Sequence, residues 1–202
     1  MRILKKRNII LKRIFDILGA IILLVLASPV MLTVAIGVSI SLGRPVLFRQ
    51  RRVGRDGAEF EMLKFRSMRD GETDGWTTGV DTRKTRFGNF IRRTSLDELP
   101  QLINVLRGEM SLVGPRPEQP RFVEKFKSEI PGYDKRHTVK PGITGLSQIK
   151  GLRGDTSLTA RLSEDIAYIE GWSLWLDIKI LLITPFRMIN KKEVYKKGGE
   201  GD

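Results

Sequence analysis

The sequence predicts an α+β protein carried on an apolar N-terminal helix, and three observations predict it. Residues 17–43 form a run of twenty-seven residues without a charge, interrupted near its middle by Ser28-Pro29. Residues 44–69 read as strand, turn and strand. Beyond residue 86, short helical patterns alternate with rigid Gly/Pro turns. The 202 residues divide on this reading into a basic N-terminus and membrane helix (1–43), a small mixed domain rich in helices with short strands (44–165), and an amphipathic interfacial helix with a basic tail (166–202).

Composition narrows the partners. Lys and Arg number 36 against 23 Asp and Glu, a net charge of +13, so the chain seeks anions: nucleic acid, an anionic membrane surface or phosphorylated small molecules. The absence of cysteine excludes disulfides and thiolate metal sites. His137 is the single histidine, sits in the basic loop Lys135-Arg136-His137-Thr138, and reads as a surface residue.

Residues 1–13 carry six cations and no acid before the apolar run begins. The run is too long for a signal peptide and suits a membrane helix. Its far flank is also basic, with Arg44, Arg49, Arg51, Arg52 and Arg55 ahead of the first acid, Asp56, so the positive-inside rule opposes moving either flank across a bilayer. Pro29 removes a helical hydrogen bond, and the Ser28 hydroxyl can satisfy the freed carbonyl. Each arm would reach about 18–22 Å against a hydrocarbon core of roughly 30 Å, which permits a bent hairpin that enters and leaves one face. A spanning helix fits these facts equally well. Asp16, just before the run, is placed to pair with Lys12 or Arg13.

Pro45–Phe48 and Phe60–Phe65 are strand patterns about the turn signal Gly54-Arg55-Asp56-Gly57, and alternation puts Lys64 and Arg66 on one face. Residues 70–86 are polar and glycine-rich, a loop. Phe87–Arg93 mixes aromatic and basic residues on a helical spacing. Next comes the stretch that carries the chemistry, Thr94-Ser95-Leu96-Asp97-Glu98-Leu99-Pro100-Gln101. Pro100 belongs in a first helical turn, so a helix opens near Asp97, and Ser95-x-x-Glu98 also fits a capping box. Carboxylates at that end of a helix are favoured as anions. An ionised Asp beside arginines serves as nucleophile, metal ligand or plain helix cap, and spacing alone does not separate Asp97 from Glu98.

A helix through Leu106 stops at Arg107-Gly108-Glu109, and Met110–Val113 is extended. Gly114-Pro115-Arg116-Pro117 then projects Arg116 from a stiff turn. Pro120–Ile130 reads as an amphipathic helix with Phe122, Val123, Phe126 and Ile130 inward. Val139–Gly145 is another rigid turn, expected to lead into a strand, and a last helix begins at Glu164–Ile169. Trp172–Leu182, with two tryptophans and flanking lysines, fits a helix in the membrane interface, and Lys191–Lys197 a tail at lipid headgroups.

Lys64–Met68, Thr94–Gln101, Gly108–Pro117 and Lys140–Gly145 together resemble the small monotopic phosphoglycosyl transferases, bacterial sugar transferases that act on polyprenyl phosphate. The resemblance covers nearly the whole chain. It implies a re-entrant membrane helix broken at Ser28 and Pro29, a catalytic domain on the cytoplasmic face of the bacterial inner membrane, and transfer of a sugar-1-phosphate from a UDP-sugar to polyprenyl phosphate with release of UMP. It also implies Asp97 as nucleophile in a covalent aspartyl-phosphosugar step, Asp97 and Glu98 as catalytic residues and Mg2+ ligands, and Lys64, Arg66, Arg92, Arg116 and Pro117 as substrate-binding residues. Membrane lipids are expected partners, nucleic acid is not, and a homodimer is compatible with the chain. Family members usually carry Trp-Ala where this chain has Leu146-Ser147, which puts an aromatic contact there in doubt. The competing class is a non-enzymatic, membrane-anchored basic module for anionic lipid or nucleic acid, which predicts no dependence on Asp97 and no magnesium-dependent UMP release.

Overall fold

The structure is a computed structural model that describes residues 6–69, 83–152 and 156–189. Arg2, Lys5, most of the 70–86 loop and the Lys191–Lys197 tail lie outside the described residues. Helix α1 (Lys6–Leu42) is the one described helix long and apolar enough to cross a membrane. The two arms expected on either side of Ser28-Pro29 belong to one helical element, α1, which carries Pro29 inside it. The reason is local. Pro29 cannot donate to Val25 O, and Ser28 Oγ donates to that carbonyl instead at 2.8 Å. Thr33 Oγ1 donates to Pro29 O (3.2 Å) and Val30 O (2.8 Å) one turn on.

Both halves of α1 rest on the rest of the protein. Ala20 is fully buried, with Phe15 and Leu24 packed against the same cluster, and Val34 and Val38 are buried further along. Between them Val25 and Leu26 are 67% and 72% exposed. Strands β1 (Leu47–Val53) and β2 (Glu59–Phe65) pair antiparallel, Phe48 opposite Lys64, across a 3-10 turn at Arg55–Gly57 whose Asp56 takes φ 56°. Helix α2 (Arg86–Arg93) starts under a Thr85 cap, its Oγ1 accepting from Gly88 N at 3.0 Å. Helix α3 (Gln101–Arg107) ends at Gly108, as Arg107-Gly108 foretold.

Strand β3 (Ser111–Val113) pairs in parallel with β4 (Gly142–Thr144), and α4 (Pro120–Glu129) lies between them in sequence. Val123 is buried in a cluster with Val53, Tyr133 and Leu162, joined by Phe126 and Ile130, whereas Phe122 stacks on Phe126 outside it. After β4 the chain turns at once into the short helix α5 (Leu146–Ile149), where a strand was expected. Helix α6 (Leu158–Glu170) begins six residues before the expected last helix and runs through residue 165, where the sequence reading put a boundary. Helix α7 (Leu174–Ile189) follows.

The central core gathers Ala20, Met62, Leu102, Val105, Met110, Leu112, Val113, Ile149, Tyr168 and Ile180. It therefore draws on α1, β2, α3, β3, α5, α6 and α7 together. A buried polar set ties α1 to it. Asp177 accepts from Lys12 Nζ (2.8 Å) and Trp172 Nε1 (3.1 Å), and the Tyr168 hydroxyl lies 2.8 Å away. Asp16 accepts from Ser111 Oγ (3.0 Å) and Leu112 N (3.1 Å), and it pairs with Lys12 at 3.7 Å as the sequence predicted.

Candidate active site

The two carboxylates sit on a 3-10 turn, Leu96–Glu98, that precedes α3. Leu99 N bonds Leu96 O and Leu102 N bonds Leu99 O, so the backbone passes from the turn into α3 with Pro100 at its entry. The expected helix start was thus close to right, with a tighter first turn. Ser95 makes no side-chain cap; it takes the left-handed conformation (φ 57°), and Glu98 N bonds its carbonyl instead. The capping box is absent.

Asn104 fixes this turn against β2. Fully buried, it accepts from Leu63 N at 2.9 Å and donates to Glu61 O at 2.7 Å, standing in for a neighbouring strand. That places Lys64 beside Glu98, with Nζ 3.4 Å from Oε1. Arg116 approaches the same carboxylate with both terminal nitrogens, Nη2 to Oε1 at 2.7 Å and Nη1 to Oε2 at 3.4 Å. This fork is the strong geometry for an Arg–carboxylate pair.

Arg116 is aimed by its backbone. Gly114 N bonds Thr144 O and Gly142 N bonds Pro115 O, both at 2.9 Å, so the two rigid turns read from the sequence are laced together. Neither glycine has room for a Cβ, since it would run into the opposing backbone. From behind, Arg136 donates to Arg116 O (2.8 Å), to the Tyr133 hydroxyl (2.6 Å) and to Asp165 Oδ2 (2.7 Å). Ser147 Oγ donates to the other oxygen of Asp165. Arg52 reaches the site from β1, donating to Pro117 O at 3.1 Å and lying 3.6 Å from Glu118.

Environment separates the carboxylates. Asp97 is 8% exposed and, among the described residues, accepts no hydrogen bond and forms no ion pair. Its pKa is raised, first by burial and then by the neighbouring Glu98 charge, against the opposing pull of Lys64, Arg92 and Arg116. Lys64 is lowered by its own burial, which Glu98 partly offsets. Arg116 is raised, chiefly by Glu98. Burial and the adjacent Arg116 bring Arg52 down to about 10.

Among the residues singled out from sequence, Asp97, Glu98, Lys64, Arg116 and Arg92 converge. Arg92 lies near enough for its charge to be felt at Asp97, while Nη1 rests 3.1 Å from Met68 Sδ. Pro117 contributes a carbonyl to Arg52. Arg66 is placed elsewhere: it is buried and donates to Leu42 O and to Arg44 O (3.2 Å), closing the end of α1. The alternation that put it with Lys64 stops where β2 ends, at Phe65. His137 is half-buried edge-on to Tyr133, and burial with Arg136 nearby lowers its pKa to about 4, so it is not the open surface residue expected. Arg52, Asn104 and Arg136 were not singled out. Their signal is tertiary, because each acts through backbone groups far away in sequence.

Magnesium takes one or two protein carboxylates and completes its shell with water and phosphate oxygens. Asp97 with uncommitted oxygens beside Glu98 fits that need, and no group of three or more acidic or histidine ligands occurs among the described residues.

A family model described as bacterial sugar transferase matches residues 7–191. The chain is 48% identical over 195 residues to a UDP-glucose:undecaprenyl-phosphate glucose-1-phosphate transferase of Xanthomonas campestris, covering 93% of this chain and 40% of that protein. A transferase of the same name from Caulobacter vibrioides is 42% identical over 191 residues, covering 91% and 72%. A UDP-N-acetylgalactosamine-undecaprenyl-phosphate N-acetylgalactosaminephosphotransferase of Aeromonas hydrophila is 45% identical over 179 residues, covering 86% and 42%. The chain thus spans about two fifths of the length of the Xanthomonas and Aeromonas relatives. With the match running from the first turns of α1 to the end of α7, the chain belongs to the bacterial sugar transferase family.

Proposed function

We propose that the chain transfers a sugar-1-phosphate from a UDP-sugar to undecaprenyl or a related polyprenyl phosphate, releasing UMP, as the first membrane step of a bacterial glycoconjugate. The observation that carries this reading is the split dyad: Glu98 is clamped by Arg116 and Lys64, while Asp97 is desolvated and its oxygens are uncommitted among the described residues. The activities for which the relatives are named supply the substrate classes, and their different sugars leave this chain's sugar to experiment.

In the mechanism, an Asp97 carboxylate oxygen attacks the sugar-bearing phosphorus of the donor. The bond from that phosphorus to the bridging oxygen breaks, and UMP leaves with the electron pair. An oxygen of polyprenyl phosphate then attacks the aspartyl-phosphosugar in line, freeing Asp97 and leaving the sugar on a polyprenyl diphosphate. Arg116, Lys64 and Arg92 hold phosphate oxygens, and Arg52 stiffens the turn that carries Arg116. Asp97 and Glu98 would hold Mg2+, which supplies neutralising charge for the diphosphate when bound.

The packing of α1 bears on the membrane arrangement. A helix that crosses a bilayer meets its soluble domain at one end only, but here both halves pack on the same body around an exposed middle. This supports a re-entrant anchor with both basic flanks on the cytoplasmic face of the inner membrane. The test is intact-protein mass spectrometry after mixing with UDP-glucose, UDP-galactose and UDP-N-acetylgalactosamine plus magnesium, without acceptor. One phosphosugar is expected to add to the wild type and none to Asp97→Asn. Turnover with polyprenyl phosphate but no adduct would mean direct transfer, with Asp97 serving the metal alone.

A further inference from the structure

The end of α3 remote from Asp97 carries a second concentration of positive charge that the transfer reaction does not use. Arg13 donates to the last-turn carbonyls Val105 O (2.6 Å) and Leu106 O (2.9 Å). Beside them Gly108 turns the chain at φ 85°, and a methyl group built on it would lie 3.4 Å from Arg13 Nη2 and 3.5 Å from Lys140 Nζ. The two cations therefore flank one glycine, with the absent side chain leaving the space between them open. Neither forms an ion pair among the described residues. The charges felt by Lys140 include Arg13, Arg55 and Lys12 against the acid Asp16, whose Oδ1 is already engaged by Lys12, Ser111 and Leu112 N. The α3 carbonyls meet part of the Arg13 charge, Lys140 donates no hydrogen bond among the described residues, and two half-buried like charges held this close are costly, a cost that an anion between them would relieve.

Position says which anion. Arg13 stands one helical turn before the uncharged stretch of α1, with Ile10, Ile14 and Leu18 exposed around it. That is the level of lipid phosphates for an inserted helix. Seven residues of α3, about 10 Å, separate the site from the carboxylate turn, so the phosphate bound here is not the one that reacts.

We propose that Arg13, Lys140 and the gap at Gly108 form a binding site for the phosphate of an anionic phospholipid, distinct from the Asp97 centre. The proposal rests on the membrane reading of α1 and not on the chemistry at Asp97. The test uses the full chain in nanodiscs of equal phosphatidylcholine and phosphatidylglycerol, released into a native mass spectrometer. Wild type is expected to keep a phosphatidylglycerol under activation that strips phosphatidylcholine. Lys140→Gln should hold it about five-fold more weakly, Arg13→Gln at least as weakly, and Lys140→Arg should restore it. Lys125→Gln, which removes an exposed cation on α4, should behave as wild type. Equal retention by wild type and both glutamine variants would overturn the site. Displacement of the lipid by millimolar inorganic phosphate would overturn the lipid assignment in favour of soluble phosphate. Failure to enter nanodiscs at all would instead sink the membrane reading beneath it.

Discussion

Asp97 is buried and accepts no hydrogen bond among the described residues, while its neighbour Glu98 is held by a forked arginine and a lysine. Burial, with the Glu98 charge beside it, raises the Asp97 pKa from its ordinary value, so the folded chain holds that proton more tightly than the unfolded chain. Stability from this group is therefore present at low pH and declines as pH climbs from the unfolded pKa through the raised folded one. At neutral pH the ionised form is a burden on the fold. Asp97→Asn should abolish turnover yet melt no lower than wild type, and higher by about 2–4 °C for each kcal/mol relieved, as read by differential scanning fluorimetry at pH 7.5. The gain should vanish below pH 4. A drop in Tm at pH 7.5 would mean that Asp97 is stabilised by a partner. Sequence alone named the dyad, because two carboxylates between arginines and a proline are local signals. It did not separate them, because the separation is made by Lys64 and Arg116, which arrive from β2 and from the turn after β3.

At the scale of elements, the Arg116 turn depends on α6 through Arg136 and Asp165, both nearly fully buried. Breaking a buried pair by removing one partner typically costs about 3–5 kcal/mol. Asp165→Asn should lose stability of that order and raise KM for the UDP-sugar, with the carboxylate turn left in place. An unchanged KM in folded protein would show that the turn holds Arg116 unaided. Helix α7 buries Asp177, Ile180 and Thr184 and presents Trp175 (72% exposed), Leu182 and Phe186 on the other side. A helix stands where the tryptophans led the sequence to be read as one, although its polar anchor inside, Asp177, was not legible. Trp175→Glu with Phe186→Glu should release protein from liposomes several-fold without lowering Tm, because neither ring is in the core; retention by flotation would argue against an interfacial face. Helix starts and stops were readable where glycine, proline or a cap set them. The α5 turn was missed because its residues look like a strand, whereas Ser147 is drawn to Asp165 on α6 and Ile149 into the core.

Over the whole molecule, the α+β class and the apolar N-terminal helix were plain from composition and pattern. The path of that helix was not, since charge flanks and a proline fit more than one geometry. Single cysteines at Lys5→Cys and Arg51→Cys are expected to label from the same side of inverted vesicles; labelling from opposite sides would replace the re-entrant anchor with a spanning one and leave the chemistry at Asp97 untouched. Arg66, expected among the substrate ligands, closes the last turn of α1, so that end of the anchor is tied to the segment just after the strand bearing Lys64, while Lys12 ties the near end of α1 to α7 through Asp177.

The burial of Ala20, Val34 and Val38 among residues of β2, α2, α3 and β3 has a consequence for how the protein is made. Helix α1 leaves the ribosome before the elements that pack on it and supplies a wall that they need. On the proposed membrane reading the domain is templated on a helix already seated in lipid, and a chain begun at residue 44 would lack part of the surface on which it closes. Attempts to obtain a soluble version by trimming the anchor would remove part of the interior, so a water-soluble form calls for α1 kept in place with only its outward residues, Ile10, Ile22, Val25, Leu26, Leu32 and Ile40 among them, exchanged for polar ones.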